Sequence, residues 1–168
     1  PGTPNYFVQR QWRNPAKPCL LYFTEDMNAM TYAKPLPQIN SDNQDFWDGC
    51  RNHVLKIQMC GSCKKPRLPF SFVCPHCHST DTKLIESAGR GRVYSYVVYH
   101  VAYHPSFKED LPYVVALVDM DEGVRLLTNI VGCTPEEVYC DMEVKLSWDE
   151  VTKDVTLPKF RPVANTRS

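Results

Sequence analysis

The chain has 168 residues, 43% of them hydrophobic, which suits one ordinary domain with a small appendage and is too apolar for a disordered segment. Nineteen Lys and Arg balance nineteen Asp and Glu, so the basic excess usual in proteins that live on phosphate backbones is missing. No run approaches the roughly 18 consecutive apolar residues of a membrane helix, and the opening residues show no charged-then-apolar leader, so neither membrane nor nucleic acid is expected as a partner.

Residues 1–39 hold six prolines (Pro1, Pro4, Pro15, Pro18, Pro35 and Pro37), which remove amide donors and restrict the residues before them. They read as an extended arm. Its aromatics (Tyr6, Phe7, Trp12, Tyr22 and Phe23) argue for an arm that lies on another surface. Ser41-Asp42-Asn43-Gln44 has the form of a helix capping box, and Phe46, Trp47, Cys50 and Val54 follow at helical spacing. A short amphipathic helix is expected over about 42–53, within a segment 40–55, weakened by Gly49. Leu55, Ile57 and Met59 alternate with Lys56 and Gln58, the pattern of a half-buried strand.

The strongest chemical signal comes next, in a segment 56–85. Cys60-Gly61-Ser62-Cys63 is followed after ten residues by Cys74-Pro75-His76-Cys77. Two residues between cysteines let one tight turn aim two thiolates at one ion, and two such turns complete a tetrahedral sulfur site. Four protein ligands leave no open position for water or substrate, so the site reads as a structural zinc ribbon. Iron is the alternative at such a site, with a rubredoxin-like electron carrier as the function. The pairing without a disulfide framework indicates a reducing compartment, and a cytoplasmic location is expected. The residue after the second cysteine of each turn commonly adopts a left-handed conformation, yet Lys64 and His78 stand there. Of the remaining thiols, Cys50 falls on the apolar helix face as a small hydrophobe, and Cys133 follows Gly132 at a strand end. None, Cys19 and Cys140 included, carries a nucleophile motif, so no catalytic residue is assigned.

Beyond the cysteines the texture becomes β, from 86 to 164, with a short tail at 165–168. Strands are expected over 92–103, 113–118, 124–131, 144–148 and, more weakly, 151–157. Asp121-Glu122-Gly123 fits a tight hairpin turn, and Thr134-Pro135 fits the start of one helical turn. The expected fold class is therefore mainly β: arm and short helix, zinc ribbon, then a five-stranded Greek-key barrel of OB type. Tyr94 and Tyr96, two apart on one strand, would share a face, the arrangement a base-stacking platform needs. A nucleic-acid-binding OB module is thus a second reading, opposed by the net charge and by the acidic run around Asp119 and Glu122.

Several stretches together identify a family. After Phe46-Trp47 and the paired cysteines come Ser87-Ala88-Gly89-Arg90-Gly91-Arg92-Val93-Tyr94, Pro112-Tyr113-Val114-Val115 and Asp121-Glu122-Gly123-Val124-Arg125. Over about residues 35–164 the chain resembles the acyl-CoA-associated OB-fold family with a rubredoxin-like zinc ribbon, long catalogued as a domain of unknown function. Lys64 and His78 depart from the family's usual glycines. The resemblance implies one zinc per chain and a small non-catalytic subunit held permanently by a thiolase-like catalytic subunit. Such pairs include archaeal acetoacetyl-CoA thiolase assemblies, an acetylating enzyme of phloroglucinol synthesis, steroid side-chain aldolases and benzoylsuccinyl-CoA thiolase. The implied substrate is a CoA thioester, and the implied chemistry is thiolase-type acyl transfer or aldol cleavage on the partner. Lys64, Lys65, Arg67, Arg90 and Arg92 are the cations expected near the CoA phosphates. Trp12, Phe46 and Trp47 are the aromatics expected at the partner interface.

Overall fold

The computed structural model describes residues 32–163. The arm residues Tyr6, Phe7, Trp12, Tyr22 and Phe23, Cys19 and the tail 165–168 lie outside the described residues. Residues 32–40 run without regular secondary structure into helix α1, Gln44–Arg51. The helix is shorter than expected, and the capping box does not form. Asn43 is the N-cap, its side chain turned back so that Oδ1 accepts from the amide of Asn40 at 2.9 Å and Nδ2 donates to the carbonyl of Gln38 at 3.0 Å. Asn and Asp side chains compete with the helix for local backbone groups, and here a turn over 40–43 wins. Gly49 has a reason of its own to be there. The chain folds back so that the amide of Val54 donates to its carbonyl at 2.9 Å, and a Cβ would lie 2.6 Å from the carbonyl oxygen of Val54.

The return leads into β1, Lys56–Cys60, the centre of a small antiparallel sheet with β2, Pro66–Arg67, and β3, Thr82–Glu86. Two tight turns project from this sheet. In the first, the carbonyl of Lys65 accepts from the amide of Cys60 at 3.0 Å and the carbonyl of Cys60 from Lys64 at 3.1 Å. The second repeats it: the carbonyl of Ser79 accepts from Cys74 at 2.9 Å, and that of Cys74 from His78 at 2.9 Å. Each turn is closed by a left-handed residue, Lys64 at φ 61° and His78 at φ 57°. The conformation expected for these two positions is therefore adopted without glycine.

Five strands then close the barrel: β4, Arg90–Tyr99; β5, Tyr113–Met120; β6, Arg125–Ile130; β7, Glu143–Glu150; and β8, Thr156–Pro162. Their order around the barrel is β4-β5-β6-β8-β7, antiparallel throughout except where β6 meets β8 in parallel at Ile130 and Phe160. This is the OB arrangement expected from the sequence. Along β5 every second residue (Val114, Ala116, Val118 and Met120) is buried, the period-2 signature of a strand with one core face. The hairpin at 121–123 forms as expected: the carbonyl of Val124 accepts from Met120, and Gly123 takes φ 82°, where a side chain would be strained.

Three strand expectations need correction. The first strand starts two residues early and stops at Tyr99, after which His104 caps a 3-10 helix over Pro105–Asp110 by accepting from the amide of Ser106. The weak fifth strand is displaced, because β7 runs on to Glu150 and the chain turns over 151–155, where the carbonyl of Val155 accepts from Val151 and Thr152. The strand then includes Pro158 and Pro162, residues whose missing amides made it unreadable as sheet. Finally, Tyr94 and Tyr96 do not share a face. A β-bulge at Tyr94 shifts the register between Val93 and Ser95, so Tyr96 packs toward the core while Tyr94 points outward under the guanidinium of Arg125 at 3.5 Å. The stacking platform is absent from this strand.

One apolar core runs through the described residues. Val93, Val118, Val144 and Phe160 from the barrel join Cys50 of α1, with Leu55 and Ile57 leading from the helix into β1, all at most 1% exposed. Phe160→Ala is expected to cost about 3–5 kcal/mol, read as a lowered urea midpoint. The exposed Leu127→Ala should change stability by less than about 0.5 kcal/mol. Relief of left-handed strain should make Lys64→Gly more stable by up to about 1 kcal/mol, seen as a raised melting temperature of the metal-loaded protein.

Candidate metal centre

The two turns bring Cys60, Cys63, Cys74 and Cys77 together, each offering one sulfur and all four within 4.8 Å of one another. The facing pairs are closest: Cys60 Sγ to Cys77 Sγ is 3.5 Å and Cys63 Sγ to Cys74 Sγ is 3.7 Å. A tetrahedron with metal–sulfur bonds near 2.3 Å has edges of about 3.8 Å, so the cluster has the size a single ion requires. Cys60 and Cys74, the first cysteine of each turn, are fully buried, whereas Cys77 is exposed. The turns are tied to each other by Ser62 Oγ donating to Ser79 Oγ at 2.9 Å and the amide of Gly61 donating to the carbonyl of Asp81 at 2.9 Å.

Backbone amides aimed at the sulfurs prepare the site for thiolates. The amide of Cys63 lowers the Cys60 thiol to about 6, and the amide of His76 pulls Cys74 down as well. Cys77 is drawn down by the amide of Ser79 but pushed up overall to about 11 by local desolvation of its sulfur, exposed though the residue is, and by the other three sulfurs. Proton sharing of this kind is what four crowded thiols show when no cation compensates them. A bound divalent ion would deprotonate all four.

The five cations expected near CoA phosphates have different surroundings. The Lys64 ammonium donates to the carbonyl of Gly61 in its own turn. Arg67 is only 6% exposed. Its guanidinium clasps the ribbon through Gln58 Oε1 at 2.8 Å, the carbonyl of Ser71 at 3.0 Å and the hydroxyl of Thr82. Arg92 pairs with Glu143 across the sheet. Lys65 and Arg90 are exposed and have no acidic partner among the described residues.

Phe46 and Trp47 are half-buried and meet edge to face with centroids 5.1 Å apart, and Phe46 meets Phe70 likewise at 5.8 Å. They wall an apolar groove of about 500 Å³ with Leu68, Leu126, Leu127 and Pro158. Sequence reasoning missed this groove and the 67% exposure of Leu127; the run Leu126-Leu127, which puts one leucine on each face of β6, was the available signal. Elsewhere, burial pushes the Cys50 thiol up to about 12 and raises that of Cys133, the opposite of an activated nucleophile.

A family model described as "ChsH2, C-terminal OB-fold domain" matches residues 84–149. Over 129 residues the chain is 46% identical to a probable enoyl-CoA hydratase alpha subunit of Thermomonospora curvata, spanning 77% of this chain but only 40% of that protein. It is 35% identical to a DUF35 domain-containing scaffold protein of Methanocaldococcus jannaschii, with 63% of this chain and 79% of that protein covered. Among solved structures it is similar to a chain of the "Ltp2-ChsH2(DUF35) aldolase", with TM-score 0.70, 46% identity, and coverage of 76% of this chain and 98% of that one. A DUF35 protein of Sulfolobus solfataricus shares the fold, with TM-score 0.52 at 15% identity over 74% of this chain and 87% of the other. At 35% identity over 79% of the scaffold protein's length the relationship is one of common descent, and the chain belongs to the DUF35 family.

Proposed function

We propose that the chain serves as the non-catalytic, zinc-binding OB-fold subunit of a complex whose thiolase-like partner makes or breaks a carbon–carbon bond in CoA thioesters. The observation that carries this reading is the 46% identity to the solved aldolase subunit over 98% of that subunit's length. The names of two other relatives, the enoyl-CoA hydratase alpha subunit and a 3-oxo-4,17-pregnadiene-20-carboxyl-CoA hydratase alpha subunit of Mycobacterium tuberculosis, support CoA thioesters as the substrate class. The chain spans 40% and 35% of those two proteins, so it corresponds to one module of each. In this reading 56–85 acts as the ribbon module, 86–164 as the barrel module and 1–39 as an arm. The reduced thiols suit the cytoplasm.

The chain's own part is to hold shape and present surfaces. The ribbon has only short strands and little apolar interior of its own, so a bound ion would supply folding energy directly, on the order of 10–16 kcal/mol for structural zinc. Phe46 and Trp47, with the groove beside them and with Trp12, are the proposed anchors for the partner. Lys65 and Arg90 keep free charge to approach the coenzyme, whereas Lys64, Arg67 and Arg92 act through the contacts they already make.

Metal analysis is expected to give one zinc per chain and colourless protein; a red protein would identify ferric iron and the electron-carrier alternative. Cys74→Ser should be insoluble or unable to hold its partner, and a soluble variant that assembles fully would contradict a structural role. Co-expression with a thiolase-like partner subunit should give a complex that survives size exclusion, and acyl-CoA cleavage should need both chains. A well-behaved lone monomer that gains no activity from that subunit would overturn the assignment.

A further inference from the structure

Register in the barrel sets three cations side by side. Arg90 on β4 stands opposite Lys145 on β7, and Lys145 stands opposite Arg161 on β8. Residues directly opposite in antiparallel strands project from the same face, and all three side chains are exposed. Strands lie about 4.8 Å apart, so the row spans about 10 Å. Like charges directly opposite one another destabilise a sheet. This row is nonetheless uncompensated among the described residues, while its neighbours are not. Arg92 pairs with Glu143, Lys159 with Asp149 at 2.6 Å, and Arg125 with Asp119 at 2.5 Å. Glu143, Asp149 and Asp119 are thereby engaged with other bases, and Asp121, whose amide donates to the carbonyl of Arg90 at 3.2 Å, makes no ion pair with the row.

The row also borders a groove of about 550 Å³ that Arg90 and Lys145 line together with His53, Leu55, Leu146 and Trp148. His53 and Trp148 stack there, with ring centroids 5.4 Å apart and planes 10° from parallel. One acid, Glu86, lines the groove too, and it faces Lys56 across β1 and β3. Charge and an aromatic wall therefore meet at one edge, the combination that a phosphorylated ligand carrying a flat or apolar body requires.

We infer that Arg90, Lys145 and Arg161 form a phosphoryl-anion site on the outer barrel face, taking a diphosphate group whose organic remainder lies in the adjoining groove. This rests on the reading of a CoA-linked subunit and deepens it, keeping Arg90 as a contact for the coenzyme's phosphates and adding Lys145 and Arg161 beside it. Coenzyme A and inorganic pyrophosphate are the two sources of such a group that the experiment separates.

The zinc-loaded full chain is titrated calorimetrically with coenzyme A and with pyrophosphate, at low ionic strength and again at about 1 M, where the screening length is about 3 Å. Both binding signals should be lost at high salt. Each of Lys145→Glu and Arg161→Glu should weaken binding roughly tenfold or more, the neutral Lys145→Gln and Arg161→Gln should weaken it less, and Lys83→Glu on β3 should not change it. Competition between the two ligands assigns the site to the coenzyme. Pyrophosphate binding that coenzyme A does not displace assigns it to a free phosphate anion. Unchanged affinity in the melt-verified charge-reversal variants overturns the site. So does a variant that keeps coenzyme A but loses its partner subunit, since the row would then be a docking strip for an acidic protein surface. Assembly is scored separately by size exclusion, so an unmutated chain that binds coenzyme A but forms no complex would count against the subunit reading alone.

Discussion

Leu55 and Ile57 are buried in the same core as the barrel, and the rest of the architecture follows from that burial. They lie between α1 and the first cysteine turn, so their packing holds the helix, the ribbon and the barrel to one apolar interior. Burying two such side chains contributes roughly 3–6 kcal/mol, a large share of a small domain's net stability. Cys60 is three residues beyond Ile57 on the same strand. The thiol cluster therefore hangs from a strand whose other end is fixed in the barrel. Movement of the ribbon as a body would have to pull Ile57 out of the core.

Within that frame the ribbon uses polar contacts where it lacks apolar ones. Arg67 takes the place of a core residue there, its guanidinium shared among Gln58, Ser71 and Thr82. A buried guanidinium is stabilising only when its donors are satisfied, and Nη1 finds no acceptor among the described residues. Glu122, in the β5–β6 hairpin, reaches the amide of Ala88 at 2.6 Å and so fastens the segment leaving the ribbon to the barrel. Polar clasps of this sort fix orientation more than they add stability.

What the sequence discloses about this molecule divides by range. Cysteine spacing is a local property, and the four sulfurs converge as the spacing says. Alternation in β5 and the 121–123 hairpin are equally local. The capping box failed because Asn43 and Asn40 offered a competing turn within four residues, a choice that propensity alone does not decide. The bulge at Tyr94 inverted the faces of every residue after it, since a strand's side-chain period is two and one extra residue reverses it. Arg67 looked like a surface cation because nothing in the neighbouring sequence announces that Gln58 and Thr82 converge on it. The row of Arg90, Lys145 and Arg161 is a product of register between distant strands, and no reading along the chain places those three together.

The parallel contact between β6 and β8 has a temporal meaning. Ile130 meets Phe160 only after the intervening β7 has been laid down, so the seam that closes the barrel is made from the barrel's last strand. During synthesis β6 and β7 stand as open edges until Thr156–Pro162 emerges, with Leu126 and the exposed Leu127 on one of them. Non-local closure of this kind is slow relative to hairpin formation, and the waiting state is the one most exposed to wrong pairing. Phe160, fully enclosed once the seam forms, acts as the latch that ends that vulnerable interval.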